Sequence, residues 1–332
     1  MPGWRRRALA PVLLAGIAGL ALLPAAAHAA GKARVAFGDI ASVETLHLQA
    51  AFARAQEKGV DLEVTYLKSE DIASQAVVGG QADIGVGAPY ALIQKVKAPI
   101  RMFVQLSTLR FYPIVNAEYF KSWKDLDGQE VAVHARGSGT EAIMRLMEQR
   151  EGIKFSNVSY VPGAEVRAGA LLQGTVKASI VDAPNRRMLE EKAPGKFVVL
   201  PLEGINATDE ALFANTDFLA REPQAVETLL TEIVQTWREV AADPQRIVEL
   251  RKQYNLLPDL PAEMESTILP YFEELAAAGA LPLNGGGAQA VKDDFAFFTL
   301  AGQLQGDAAG LKPEDFWATG PLDAVLDRIG RK

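Results

Sequence analysis

The chain has 332 residues, with 34 Lys or Arg and 41 Asp or Glu, so its net charge is −7 at pH 7. An acidic balance disfavours a nucleic-acid-binding surface, which depends on clustered Lys and Arg. The chain has no cysteine and three histidines. Disulfides, thiolate metal sites, a cysteine nucleophile and a lipid anchor on cysteine are therefore excluded, and no metal site or cofactor is predicted. The length predicts about two domains.

The first 29 residues have the pattern of a cleavable secretory signal. Arg5 to Arg7 form a positively charged start, an apolar stretch runs from Ala8 to Ala27, and Ala27-His28-Ala29 is a small-x-small cleavage site. The alternative is a membrane anchor, but Pro and Gly interrupt the apolar stretch, and a spanning helix needs about 20 strongly apolar residues. We therefore predict export to the periplasm by the general secretory route and removal of the signal.

After this segment the chain alternates between strands and helices. The predicted strands are Ala33–Phe37, Leu62–Tyr66 and Asp83–Val86, and the predicted helices run from about Ser42 to Lys58 and begin again near Ser69 and Pro89. Strands and helices in this order are typical of a parallel sheet that is covered by helices on both faces.

A second alternating unit follows. Its predicted strands are Glu130–Val133, Val158–Val161, Ala178–Val181 and Phe197–Leu200, with helices between them. Two extended segments, Ile114–Phe120 and Leu212–Phe218, flank this unit and are predicted to be connecting strands. The chain from Glu222 onward is mostly helical and is predicted to pack on the first unit. We therefore predict that residues 30–112 and 212–332 form one lobe and that residues 113–211 form an inserted second lobe.

No sequence motif of an enzyme is present. There is no Gly-x-Gly-x-x-Gly after a strand, no P-loop, no His-Glu-x-x-His and no Gly-x-Ser-x-Gly. His134 ends a predicted strand, and we interpret it as a satisfied residue at the rim of the sheet. No catalytic residue is predicted.

The loop Arg136-Gly137-Ser138-Gly139-Thr140 opens a predicted helix directly after a strand. Free backbone N–H groups, the helix dipole and two hydroxyls at such a helix start suit a sulfonate, a carboxylate or another anion. The glycines would let a ligand approach the backbone closely. Ordinary capping of the helix by Ser138 or Thr140 is an equally good interpretation at this stage.

Other loops of the same kind follow strands in both units. Because ligands of open α/β sheets bind outside the carboxyl ends of the strands, these loops are expected to converge on one cleft. Arg110 and Arg136 suit an anion, whereas Asp39, Glu165 and Asp182 suit an amine or a hydroxyl; each is also explained as a solvated surface charge. The predicted ligand-binding residues are Asp39, Ile40, Gly87, Ala88, Arg110, Tyr112, Arg136, Ser138, Gly139, Thr140, Glu165 and Asp182.

Several short motifs occur in an order that resembles a known family. They are residues 79–85 (GGQADIG), 123–133 (WKDLDGQEVAV), 137–140 (GSGT) and 170–178 (ALLQGTVKA) ahead of Asp182-Ala183-Pro184. The order resembles the nitrate, sulfonate and taurine group of ABC-importer solute-binding proteins, which have the type II periplasmic-binding fold. The motif at residues 170–178 differs from the family pattern in one respect. After its glycine, Gly174, relatives often have an acidic residue where this chain has Lys177-Ala178.

The resemblance implies an α/β protein of two lobes, each a mostly parallel sheet flanked by helices, with the ligand cleft between them. It also implies a monomer that binds a small organic anion, either a sulfonate or a carboxylate, with aromatic acids included, and delivers it to an inner-membrane permease with its ATPase.

Two alternatives to an importer subunit stay open, and the amino-acid composition excludes a third. A periplasmic enzyme on the same fold, such as a cyclohexadienyl dehydratase, would need a carboxylate acting on the substrate, with Glu165 as the candidate. A solute-binding partner of a receptor kinase cannot be separated from an importer subunit by sequence. The fungal thiamine-pyrimidine synthases also resemble this family, but they depend on a cysteine-rich motif that this chain lacks.

Overall fold

The computed structural model describes residues 30–67, 69–205 and 207–332. The predicted signal, residues 1–29, lies outside the described residues. The strands are β1 (Ala30–Phe37), β2 (Val60–Tyr66), β3 (Ile84–Gly87), β4 (Ile100–Gln105), β5 (Tyr112–Asn116), β6 (Glu130–Val133), β7 (Asn157–Tyr160), β8 (Ala178–Val181), β9 (Phe197–Val199) and β10 (Ala211–Asn215).

The helices lie mostly between the strands in the first two thirds of the chain and follow one another in the last third. They are α1 (Leu46–Glu57), α2 (Glu70–Val78), α3 (Tyr90–Val96), α4 (Gly139–Glu151), α5 (Ala164–Gln173), α6 (Ala183–Lys192), α7 (Thr216–Arg221), α8 (Pro223–Ala242), α9 (Gln245–Tyr254), α10 (Ala262–Glu265), α11 (Ile268–Ala277), α12 (Ala288–Leu300) and α13 (Gly320–Ile329).

Two five-stranded sheets organise the molecule. The first has the order β2-β1-β3-β10-β4 and the second the order β7-β6-β8-β5-β9. In each sheet one strand runs against the others: β10 is antiparallel to β3 and β4, and β5 is antiparallel to β8 and β9. The predicted class, an α/β protein with two mostly parallel sheets flanked by helices, is confirmed. We call the first sheet with α1–α3 and α7–α13 lobe 1, and the second sheet with α4–α6 lobe 2.

The last third of the chain packs on lobe 1. Trp237 of α8 is fully buried and its Nε1 donates to Nδ1 of His47 on α1, at 2.8 Å. Burial lowers the pKa of His47 to about 3, so this imidazole is a neutral acceptor inside the core. The apolar faces of α8 and α1 thereby cover one side of the first sheet.

Local hydrogen bonding explains two element ends that the sequence pattern placed wrongly. The first helix begins at Leu46 and not near Ser42, because the Thr45 hydroxyl bonds the backbone of Ser42 in the preceding loop. The extended segment predicted to reach Phe218 ends at Asn215, whose side chain accepts from Asp217 N and starts α7. The strand β4 was not predicted.

The chain crosses between the lobes before β5 and after β9. Thr108 and Thr208 pair there in an isolated antiparallel bridge. The segments Ile114–Phe120 and Leu212–Phe218 were predicted to be the connections, but β5 and β10 lie inside the two sheets instead. The lobe boundaries at residues 112/113 and 211/212 stay a prediction.

A buried polar network holds the second crossing against lobe 1. The carboxylate of Asp294 on α12 accepts from the Tyr90 hydroxyl at 2.5 Å, from Thr208 N at 2.6 Å and from the Thr208 hydroxyl at 2.7 Å. Gln105 Nε2 also donates to the Thr208 hydroxyl, at 2.8 Å. Since Asp294 is 0% exposed, each donor depends on it for its partner.

We expect the Asp294→Ala variant to lose about 3 kcal/mol of unfolding free energy, because it leaves buried donors of Tyr90 and Thr208 unpaired. Urea unfolding followed by tryptophan fluorescence measures the loss. Lys292→Ala, an exposed position on the same helix, should change stability by less than about 0.5 kcal/mol. Equal effects of the two substitutions would contradict the structural role of Asp294.

None of the helices within the described residues combines the length and apolar character needed to cross a membrane.

Candidate ligand-binding cleft

A cavity of about 90 Å³ lies between the two lobes, at the ends of strands from both sheets. A water molecule needs roughly 15 Å³ by this measure, so the cavity could hold about six waters or a small solute of that size. It adjoins a wider groove of about 720 Å³, with which it shares Asp39, Glu44 and Ala164. We call these the inner cavity and the outer groove.

Most of the predicted ligand-binding residues lie in these two spaces. Those lining the inner cavity are Asp39, Arg110, Tyr112, Ser138, Gly139 and Thr140. Those lining the outer groove are Asp39, Ile40, Glu165 and Asp182. The fold thus brings together loops that are more than 100 residues apart in the chain, and their contact with a ligand stays a prediction.

Three predicted residues line neither space. Gly87 and Ala88 lie behind the cavity wall, where Ala88 N donates to Glu70 Oε2 at 3.1 Å and the missing side chain of Gly87 leaves room for that carboxylate. Their role in the structure is to hold Glu70. The guanidinium of Arg136 lies 5.0 Å from the ring centroid of Tyr160 and is exposed.

The start of α4 is capped mostly by its own side chains. The Ser138 hydroxyl donates to Ala135 O at 2.8 Å, and the Thr140 hydroxyl accepts from His134 N at 3.0 Å. Glu141 Oε2 accepts from Gly137 N at 2.7 Å. Within the described chain, the N–H groups of Gly139 and Thr140 have no acceptor. The hydroxyls therefore serve the loop itself, and these two N–H groups are the donors that α4 offers to a ligand.

His134 directly follows β6, and both of its ring nitrogens have partners, in agreement with its interpretation as a satisfied residue at the rim of the sheet. It is 5% exposed and lines the inner cavity. Gly163 N donates to its Nδ1 at 3.3 Å, so the proton is on Nε2, which lies 3.4 Å from Gly38 O in lobe 1. Burial lowers the pKa of His134, so the ring is neutral and links the lobes.

Carboxylates dominate the inner cavity. Its acidic lining residues are Asp39, Glu44, Glu70, Asp209, Glu210 and Glu274, whereas its arginines are Arg110 and Arg167. Of these eight residues, the sequence analysis identified Asp39 and Arg110 alone. Glu44, Glu70, Asp209 and Glu210 lie in a loop or at a helix start, and Glu274 lies within α11. Solvated acids are common at all of these places, so no local signal separates them from surface residues.

Burial and mutual repulsion hold several of these acids in the protonated form. Burial, together with the charge of Asp209, raises the pKa of Glu70 to about 8. Burial and the charge of Asp39 likewise raise the pKa of Asp209 to about 8. The pKa values of Glu44 and Glu210 are also raised well above the usual range, first by burial. Near neutral pH the empty cavity therefore holds protons that a bound cation would displace.

Arg167 is the buried cation in this cluster. It is 1% exposed, and its Nε and Nη1 each donate at 2.9 Å, to Ile180 O and Val161 O. Its charge lowers the pKa of Asp209 and Asp182 against the effect of burial. Arg167 was not identified from the sequence, because its position within α5 is that of an ordinary helical arginine.

The lobes contact each other around the cleft. Arg187 of α6 forms an ion pair with Glu274 of α11. Gln303 Nε2 donates to Ser138 O at 3.4 Å, and Lys192 lies 3.7 Å from Glu263. Gly139 faces Leu109 and Asp209 in the chain crossings. With these contacts the two lobes are closed, like a clamp, over the inner cavity.

Two α/β lobes, two chain crossings and an enclosed space at the strand ends are the fold of the periplasmic binding proteins. Residues 55–247, more than half of the chain, match the sequence model of the NMT1/THI5-like family. The chain belongs to this family. The resemblance inferred from the short motifs is thereby confirmed.

Comparisons with individual proteins are consistent with membership of this family. A protein of Brucella abortus (strain 2308) that is named as a binding protein is 24% identical over 207 residues, which cover 60% of this chain and 63% of the relative. The chain thus matches less than two thirds of that relative's length. A solved structure from Bordetella bronchiseptica RB50 has a TM-score of 0.69 at 20% identity, covering 90% of this chain and 98% of that one.

A third similar protein is the alkanesulfonate-binding protein SsuA from Xanthomonas axonopodis pv. citri, solved with bound MOPS. Its TM-score is 0.62 at 17% identity, and the match covers 83% of this chain and 94% of that chain. Identities this low establish a shared fold.

Proposed function

We propose that this protein is the solute-binding subunit of an ABC importer, which works in the periplasm and delivers a small organic solute to an inner-membrane permease with its ATPase. One observation carries the proposal: the inner cavity is enclosed between the lobes and lined by both of them. A space of this kind opens when the lobes separate and traps its solute when they close, which is hinge closure around a ligand.

The family and the structural neighbours support the same function. The fold matches that of SsuA, whose name states that it binds alkanesulfonates. The chain crossings near Thr108 and Thr208 are where a hinge would bend. The inner cavity suits a solute bound by a few polar groups, with residues such as Asp39, Ser138 and Gly139 in its wall.

The sequence analysis predicted an anionic solute. An acid group of that solute would lie against the N–H groups of Gly139 and Thr140, with Arg110 at the entrance. The numerous carboxylates in the same wall would have to stay protonated for such a group to bind.

The enzyme alternative depended on Glu165 as the acting carboxylate. Glu165 lines the outer groove, whereas the described lining of the inner cavity does not include it.

We expect the purified protein to bind one equivalent of its solute, to become more compact on binding and to release the solute chemically unchanged. Calorimetry with a panel of organic acids, sulfonates, nitrate and amines gives the stoichiometry, and small-angle X-ray scattering measures the compaction. Mass spectrometry of the recovered solute checks its integrity. A changed solute would support an enzyme, and binding without closure would contradict a role in import.

A further inference from the structure

The polar groups around the cleft are mainly hydrogen-bond acceptors. The inner cavity is lined by six carboxylates and two arginines. Of the two cations, Arg167 donates from Nε and Nη1 to backbone carbonyl groups of lobe 2, and Arg110 is exposed. Glu274 has a partner in Arg187, but the other five acids gain no salt bridge within the described chain. Charged acceptors therefore outnumber charged donors in this wall.

A buried amide gives an independent sign of a missing donor. Asn185 lines the outer groove beside Asp182 and is 3% exposed. Its Nδ2 donates to both oxygens of Asp182, at 2.9 and 3.0 Å, which fixes the orientation of the amide. Its Oδ1 is then buried without a partner among the described residues. A buried acceptor left unpaired costs about 1–3 kcal/mol, so a ligand that supplies an N–H group would relieve that cost.

The acids do not form a metal site. Within the described residues no three metal-ligating side chains come close enough to hold a metal ion. The carboxylates are instead spread around the wall: Asp39 and Glu44 lie before α1, Glu70 lies on α2, and Asp209 and Glu210 lie just before β10. A charge distributed in this way matches an organic cation that presents N–H groups in several directions.

We infer that the solute carries a protonated amine, and that this group, held by the carboxylates around Asp39, Glu44 and Asp209, supplies most of the binding free energy. The inference rests on the proposed function, since it assigns the chemical class of the solute for the same cleft. It differs from the anion predicted from the loop at Ser138.

Binding of the amine displaces protons from the cavity. The charged and titratable groups that line the two spaces are Asp39, Glu44, His47, Glu70, Arg110, Tyr112, His134, Glu165, Arg167, Asp182, Lys192, Asp209, Glu210, Asp259, Glu263, Tyr271 and Glu274. In the closed clamp Glu70 and Asp209, with pKa values of about 8, are mostly protonated at pH 7 when no cation lies beside them. An ammonium group favours their ionised forms, so the affinity for a cation rises as pH rises from 6 towards 8. An anion favours the protonated forms, so its affinity would fall over the same range.

The test uses four probes of equal chain length: butylamine, 1,4-diaminobutane, butyrate and butane-1-sulfonate. Calorimetry at pH 6, 7 and 8, in two buffers that differ in ionisation enthalpy, gives the affinity and the number of protons exchanged. We expect one of the amines to bind at least tenfold more tightly than either acid, with release of protons and with an affinity that rises with pH.

Glu44→Gln removes one carboxylate with little change of shape and should weaken amine binding at least tenfold. Glu273→Gln, an exposed position next to Glu274, is the matched control and should bind the amine as the wild type does. Thermal unfolding of both variants shows whether they are folded, and Asp39→Asn provides a second variant if Glu44→Gln is not.

The outcomes separate the two proposals. Tighter binding of butyrate or butane-1-sulfonate, with uptake of protons, would overturn the amine while leaving the importer subunit in place. Equal binding by wild type and a folded Glu44→Gln variant would overturn the role of the carboxylates. If no probe of either charge binds or compacts the protein, both the solute class and the proposed function are overturned.

Discussion

Replacing Gly139 with valine is expected to weaken ligand binding at least 100-fold, about 2.7 kcal/mol, while leaving the fold intact. Gly139 is the first residue of α4 and faces the chain crossings next to Thr108 and Thr208. A Cβ atom at this position would overlap Leu109 Cδ2 and would lie 3.1 Å from Asp209 Oδ1. Because these neighbours lie beside the segments where a hinge would bend, valine hinders the approach of α4 on closure.

The backbone of Gly139 has no positive φ, so a larger residue fits the helix start itself and the penalty arises on closure. Gly320→Val is the matched control: Gly320 also opens a helix, and nothing lies within 4 Å of its Cβ position. Calorimetry gives the affinity, scattering gives the closure, and thermal unfolding confirms the fold. Wild-type affinity and compaction in Gly139→Val would show that tight contact of α4 with Leu109 is unnecessary for binding.

Arg167→Met is expected to have the largest effect on stability, a loss of about 3–5 kcal/mol of unfolding free energy. The guanidinium is buried with hydrogen bonds to Ile180 O and Val161 O, which methionine cannot make. Among the charge interactions of Arg167 with neighbouring acids, those with Asp182 and Asp39 are the strongest. Removal of the guanidinium leaves buried carboxylates without compensation and two carbonyl groups without donors.

The loss should be larger at pH 8 than at pH 5. At pH 5 Glu70 and Asp209, with pKa values of about 8, are protonated in the folded protein and need no counter-charge, whereas at pH 8 a large part of each is ionised. Arg145→Met is the control, because Arg145 is 40% exposed and pairs with Glu148 at the surface, so about 1 kcal/mol or less is expected. A loss below 1 kcal/mol for Arg167→Met at both pH values would contradict the role assigned to its charge.

Much of the fold could be predicted from local patterns. The helix starts at Ser138 and Asp182 carry residues whose side chains cap the backbone in the structure, and hydrophobic alternation located most of the strands. The errors at Ser42 and Phe218 arose where a single side chain, Thr45 or Asn215, redirects the backbone. Such a contact has no counterpart in a periodic pattern of apolar residues.

The candidate cleft was only partly predictable. The loops at Asp39, Ser138 and Asp182 follow strands, and the ends of parallel strands meet at one edge, so their convergence could be expected from topology. Glu44, Asp209 and Glu210 gave no such signal. An acid in a loop is usually solvated, and its burial depends on which element of the other lobe comes to cover it.

The sequence by itself determined the fold class and the family motifs, since periodicity, capping residues and turn glycines act over a few residues. It also identified the loop at Gly139 as a place where a ligand could come close to the backbone. Only the tertiary structure decided the electrostatic character of the cleft. Charge interactions act through space and strengthen as water is excluded, so acids scattered between Asp39 and Glu274 became one cluster when lobe 1 folded, and a buried cluster when lobe 2 covered it.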